Sequence, residues 1–352
     1  MSRPHPDAVP APPSKSTEHR GAASSPVTES EAAPPSTVTE PRAAPSPSVT
    51  EARAVPSPRA RTVAIGQALF VAFLWSTSWV LIKIGLSDIP ALTFAGLRYL
   101  VAFGVLVPFA LARRRIRAQI ASLTGADWLR LAVLGVTMYT LTQGAQFLAL
   151  SYLPAQTTSL VLSFSPVAVA LLGAAALHER TSQGQWAGVG IYLVGAAIFL
   201  VPLPSGGIRL IGLAVAVFGV LSNAVAAVIG RSVNGAARLE PVTVTVVSMG
   251  IGAVLLVGTG AVAQGIPAID GRGWLIILAL ALVNTAFAFT LWNHTLRTLT
   301  VVESSVINNT MLIQIAVLAW IFLAEPLGVR QIAGLGVAAA GTLIVQLARH
   351  RR

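Results

Sequence analysis

A few polar side chains sit inside long apolar stretches, and their types limit the chemistry open to them. Tyr139, Gln143 and Gln146 fall at i, i+4 and i+7, the spacing of one helical face. A phenol and two amides on that face can bind a solute or tie helices together. Asn308 and Asn309 form an adjacent amide pair, and at least one of them should face away from lipid, where an exposed amide is costly. Trp75 and Trp79, one helical turn apart, can line an aromatic cavity or simply pack. Arg98 can attract an anionic group, pair with a helix end or extend to the membrane surface. Lys83, at a stretch end, reads as extending outward into the interface. Two titratable groups are placed for proton coupling. His294 has the side chain that titrates nearest neutrality, and Glu303 heads a polar run through Ser304, Ser305 and Thr310. Each also has an ordinary reading, as a hydrogen-bonded histidine and an interfacial carboxylate.

These residues need elements to hold them, and the composition says of what kind. The chain has 352 residues, 54% of them hydrophobic and 11% charged. Its mean hydropathy is +0.73. A soluble domain of this size carries about 25% charge, so bilayer-crossing helices account for the balance better. Ten stretches approach the roughly 20 residues needed to cross hydrocarbon. They are 63–83, 92–112, 128–150, 156–177, 185–203, 208–230, 241–263, 273–296, 301–323 and 329–348. The division at Leu153-Pro154 is the least sharply marked. Residues 1–61 are rich in Pro, Ala, Ser, Thr and Glu and repeat Val-Thr-Glu at 27, 38 and 49. Such a segment cannot offset its ordering entropy and is expected to be a disordered cytoplasmic tail.

Arginines set the orientation. The Arg113-Arg114-Arg115-Ile116-Arg117 loop, with Arg59, Arg61, Arg231 and Arg297, falls on the side of the N-terminus. Lys83, Arg209, Arg272 and Arg330 fall on the other. The positive-inside rule then puts both termini in the cytoplasm, in an inner membrane. The net charge of +11 is read as this bias rather than as a nucleic-acid surface.

The chain also resembles itself. Trp128-Leu129 recurs as Trp274-Leu275, a shift of 146 residues (274 − 128). At the same shift, Leu177 and Glu179 recur as Leu323 and Glu325, and Gln185, Ala187, Gly188, Gly190 and Gly195 as Gln331, Ala333, Gly334, Gly336 and Gly341. Five spans per unit is an odd number, so the second unit must run upside down relative to the first. Inverted repeats usually hold a solute site at mid-membrane, between the halves. The expected fold is an all-α membrane protein of ten transmembrane helices in two inverted five-helix repeats, 62–203 and 204–352. Gly188, Gly190, Gly334 and Gly336 are expected to allow close helix packing.

Several of these segments are similar to the EamA branch of the drug/metabolite transporter superfamily. They are Trp75-Ser76-Thr77-Ser78-Trp79, Leu97-Arg98-Tyr99, Pro166, Leu177-His178-Glu179-Arg180, Leu291 to Leu296 and Leu323-Ala324-Glu325-Pro326. Ser76 departs from the family's usual Gly, and Leu312 stands where a second Pro is expected. The resemblance implies ten spans and efflux of a small metabolite, amino acid or drug.

Other functions find less support. The absence of cysteine removes thiolate chemistry and disulfides. No nucleotide loop or HExxH is present, so no cofactor and no metal are expected. A membrane-embedded enzyme would need a Ser–His or paired-acid constellation at depth, and a passive channel a repeated pore motif. The expected partners are a small-molecule solute and the lipid bilayer. A homodimer is compatible with the sequence and not required by it.

Overall fold

The computed structural model describes residues 58–177, 182–201, 207–235 and 239–350. Every element within them is helical. α1 (Pro58–Gly85), α2 (Ala91–Leu111) and the short α3 (Arg114–Ala121) come first. α4 (Gly125–Gly135) runs through a π-helical segment, Val136–Gln143, into α5 (Gly144–Tyr152). α6 (Ala155–Leu162) and α7 (Ser165–Leu177) follow, with a turn between them, and then α8 (Gln183–Leu200). The second half holds α9 (Gly207–Gly235) and α10 (Pro241–Gln264). α11 (Gly271–Ala281) passes through a π segment, Leu282–Phe287, into α12 (Ala288–Thr295). α13 (Val301–Leu323) and α14 (Val329–His350) complete the bundle. α1 starts at Pro58, so the tail boundary expected at Arg61 falls inside a helix; the rest of that segment, and Glu179 and Arg180, lie outside the described residues.

Eight of these helices are long and apolar enough to cross a membrane. A ninth is added when α3 and the rod 125–152, which meet at 107°, count as one bent span. α6 and α7 are 8 and 13 residues long, each too short alone. The chain is therefore a multi-pass membrane protein. Its helices begin where side chains can satisfy free N–H groups. Thr124 with Asp127, Ser182 with Gln185 and Thr300 with Glu303 make reciprocal capping boxes at α4, α8 and α13. Asp270, which stands 146 residues after Thr124, caps α11.

The two halves pack helix by helix across the repeat. α1 lies against α12 and α13 of the second half, and α9 lies against α5, α6 and α7 of the first. α8 and α14 form an antiparallel seam. A Cβ placed on Gly188 would come within 2.9 Å of the Gly341 carbonyl oxygen, and one on Gly334 within 2.8 Å of that of Gly195. Adding 146 turns the first contact into the second, since 188 becomes 334 and 195 becomes 341. The seam is thus its own image under the repeat, as an inverted two-fold relation requires. Of the four glycines expected to permit packing, Gly190 and Gly336 instead face open space. On a helix, residues two apart point in different directions, so the seam selects 188 with 195 and 334 with 341.

Candidate functional site

A cavity of about 310 Å³ lies between the halves. α1 contributes Trp79. The first π segment and α5 contribute Thr142, Gln143 and Gln146, and α9 contributes Asn223. α13 brings Asn308, Asn309, Met311, Leu312 and Ile315. The break between α6 and α7 supplies Ser163, Ser165 and Pro166, with Ser159 and Leu162 just before it. Eight of these positions form four repeat pairs at the shift of 146: Leu162 with Asn308, Ser163 with Asn309, Ser165 with Met311, and Pro166 with Leu312. The cavity therefore draws on equivalent stretches of both repeats.

Its chemistry is that of amides and hydroxyls. Asn309 donates from Nδ2 to the Ala339 carbonyl at 3.3 Å. Among the described residues, Gln143, Gln146, Asn223 and Asn308 have no side-chain hydrogen bond, so their donors and acceptors are free for a solute. No charged side chain among the described residues lines the cavity. Asn308 is exposed, whereas Trp79, Ser159, Leu312 and Ile315 are buried.

Five of the residues singled out by sequence meet here: Trp79, Gln143, Gln146, Asn308 and Asn309. Trp75, Arg98 and Tyr139 do not line it. Trp75 stacks near Phe289 and Trp292, at centroid distances of 5.1 and 5.2 Å, and its indole N–H donates to the Asn284 carbonyl at 3.1 Å. Asn284 in turn donates to the Leu74 carbonyl, fixing α1 to the second π segment. Tyr139 packs on Tyr99, 5.5 Å between centroids. The face expected from i, i+4 and i+7 is broken because the π segment adds a residue to its turn, which rotates Tyr139 away from Gln143 and brings Thr142 in. Thr142 holds that turn by donating five residues back, to the Thr137 carbonyl at 2.7 Å. Thr285, which is not its repeat partner, makes a bond of the same i−5 kind to the Leu280 carbonyl at 2.9 Å in the second π segment.

Arg98 is buried at 6% exposure and donates to the Thr285 hydroxyl at 3.3 Å, while its Nε has no partner. Its guanidinium lies 5.2 Å from the Tyr99 ring centre and 5.9 Å from that of Phe147. Neither titratable candidate reaches the cavity. His294 is exposed in a shallow depression with Arg59, Gln67 and Thr298. Glu303 completes the α13 capping box and pairs with Arg61 at 2.5 Å. A partly exposed pair of this kind contributes about 1 kcal/mol or less. Arg61→Gln is accordingly expected to lower the melting temperature of the detergent-solubilised protein only slightly and to leave solute flux within twofold. A large loss of flux would give the pair a direct role in transport.

Sequence reasoning missed Ser159, Ser163, Ser165 and Asn223. Serines are common in membrane helices and carry no periodic signal. Asn223 had one pointer, since it directly follows Ser222, the repeat partner of Ser76.

Comparison with known proteins agrees with this architecture. Residues 62–201 and 210–347 each match the EamA-like transporter family. An uncharacterised transporter of Bacillus subtilis, YvbV, is 28% identical over 289 residues, covering 76% of this chain and 87% of the relative. A protein of Escherichia coli named as a probable amino-acid metabolite efflux pump is 24% identical over 236 residues, 64% of this chain and 75% of that one. A crystal structure at 18% identity shares the fold with a TM-score of 0.57, covering 84% of this chain and 99% of the other. With both halves matched separately and a cavity drawn from equivalent stretches of each, this chain belongs to the EamA-like transporter family.

Proposed function

We propose that the chain is a secondary transporter that exports a small, polar, net-neutral metabolite by alternating access through the cavity between its halves. The observation that carries this reading is the set of free amides, Gln143, Gln146, Asn223 and Asn308, turned into that cavity. Their donors and acceptors match a zwitterion or an amide. A net charge held there without a counter-charge would lose its hydration uncompensated. A volume of about 310 Å³ suits a solute of amino-acid size. The name of the E. coli relative makes amino-acid metabolites the first solutes to try.

On this reading the broken rod α6–α7 completes ten crossings in two five-helix repeats, 62–203 and 204–352. Both termini face the cytoplasm of the inner membrane, and the cavity opens inward. The transport unit on this reading is a single chain. Trp79, Gln143, Gln146, Asn308 and Asn309 touch the solute. Trp75, Arg98 and Tyr139 position the helices that carry them. Glu303 and His294 lie outside the path, so flux is not coupled to protons through them.

Purified protein in proteoliposomes tests this directly. Saturable flux of a zwitterionic amino acid is expected, with an initial rate unchanged by an imposed pH gradient. Flux that follows the gradient would return Glu303 and His294 to the mechanism. Absence of both flux and binding across an amino-acid and drug panel would remove the transport reading for this solute class.

A further inference from the structure

At the end of the bundle away from Glu303, two charges converge on one joint, the step from α5 to α6 at Leu153-Pro154. Lys83, in the last turn of α1, donates from Nζ to the carbonyls of Leu150 at 2.6 Å and Leu153 at 2.8 Å. Glu325, just past α13, accepts from the backbone N–H of Ala155 at 2.6 Å and of Gln156 at 3.1 Å. The side chain of Gln156 donates back to the Glu325 and Pro326 carbonyls. A cation thus sits on the last carbonyls of one helix, and an anion on the first amides of the next, each the sign that the helix end favours. α6 has no cap of its own, because Pro154 provides no side-chain acceptor. Glu325 supplies that cap from the other half of the chain. Ala324 takes a left-handed backbone, φ 52°, an unfavourable turn for a non-glycine residue that directs the carboxylate back onto the joint.

The position of these bonds relative to the cavity gives them meaning. α1 and α13 form one wall of the cavity, and α5, α6, α7 and α9 form the other. Each of the Lys83, Glu325 and Gln156 bonds joins the first wall, or the segment directly after it, to the second. Beside the joint, Ile82, Leu150, Ala155 and Ala319 are fully buried and belong to the same apolar cluster as Trp79 and Ile315 of the cavity wall, so the joint packs directly behind the cavity. At the opposite end the Arg61–Glu303 pair joins α1 to α13, both of one wall. We infer that Lys83 and Glu325 form a latch that keeps the cavity shut on the outer side, and that the transporter opens outward only when α1 and α13 release the α5–α6 joint. Lys83 therefore does not extend to the membrane surface, as its place at a span end suggested; its ammonium is spent on the α5 carbonyls.

The inference rests on the reading of the cavity as the transport site, but its test needs no transported solute. The natural chain has no cysteine, so Leu162→Cys places a single thiol on the cavity wall. A membrane-impermeant thiol reagent is applied to one side or the other of oriented vesicles. With Lys83 and Glu325 intact, the thiol is expected to react faster from the Glu303 side. Adding Glu325→Gln is expected to raise the rate from the Glu325 side about tenfold and to lower it from the other, because it removes charge-assisted hydrogen bonds from the closed state only. Lys83→Met is expected to act in the same direction and serves alone where Glu325→Gln does not purify as a single species. Lys83→Arg, which keeps the charge and its donors, is expected to retain the original ratio. An unchanged ratio in both charge-removing variants overturns the latch. So does an equal rise from both sides, which identifies the residues as staples of the fold. Lack of measurable flux leaves this test standing, so the two readings can fail separately.

Discussion

Gln146→Leu is expected to lower the transport efficiency of a polar solute by about tenfold to a hundredfold while leaving the chain folded. The side chain lines the cavity and bonds to no described residue, so its loss leaves no protein group unsatisfied. Leucine fills a similar volume. What suffers is the solute, whose polar group enters the cavity without a partner at a cost of about 1–3 kcal/mol. The initial rate of uptake into proteoliposomes against solute concentration reads this as a fall in the maximal rate over the half-saturation constant. Tyr139→Phe is the matched control. Regular helical spacing puts Tyr139 on the same face as Gln146, but the π segment turns it against Tyr99, so its change is expected to stay within twofold. Equal losses in the two variants would mean that the rod keeps an ordinary α register and that the cavity wall is misdrawn.

The second large effect lies far from any solute. Gly195→Val is expected to prevent recovery of folded protein, or to lower stability by about 3 kcal/mol, the upper end of overpacking costs. A Cβ at that position would lie 2.3 Å from the Ala338 nitrogen and 2.7 Å from the Gly334 carbonyl oxygen. Those are backbone atoms, which cannot swing aside as a side-chain tip can. The control is Gly190→Val, one helix face away, where nothing lies within 4 Å. It is expected to behave as wild type in size-exclusion chromatography and thermal unfolding. If both valines were tolerated, α8 and α14 would have to be farther apart than described.

The contrast between these glycines shows what kind of information the sequence carries. Apolar length marks crossing helices directly, because the bilayer imposes it residue by residue. The repeat was legible from Trp128-Leu129 and Gln185-x-Ala-Gly-x-Gly, since an exact shift is hard to produce by chance. Which face a glycine presents is a property of two helices together, and the spacing within one of them does not fix it. The same holds for the amides. Gln143, Gln146, Asn308 and Asn309 stand out because lipid excludes them. Thr142 and the serines around the α6–α7 break enter the cavity only because the backbone departs from α geometry, by one extra residue in the first case and by a turn in the second. Glu325 shows the limit most clearly. A glutamate at a helix end reads as interfacial, yet here it caps a helix 170 residues away along the chain.

The self-image of the α8–α14 seam has a consequence for motion. On the alternating-access reading, the outward state is obtained by letting each half adopt the shape now held by the other. A contact that the repeat carries onto itself is the same before and after that exchange. The glycine seam is therefore the part of the molecule that need not move, an axle whose energy is indifferent to which side is open. Elements that the exchange does not return to themselves, such as the tie between Glu325 and α6, must take up the difference between the two states. Bias toward one side of the membrane is then written in a few polar contacts at the rim, while the axle keeps the halves together through every cycle.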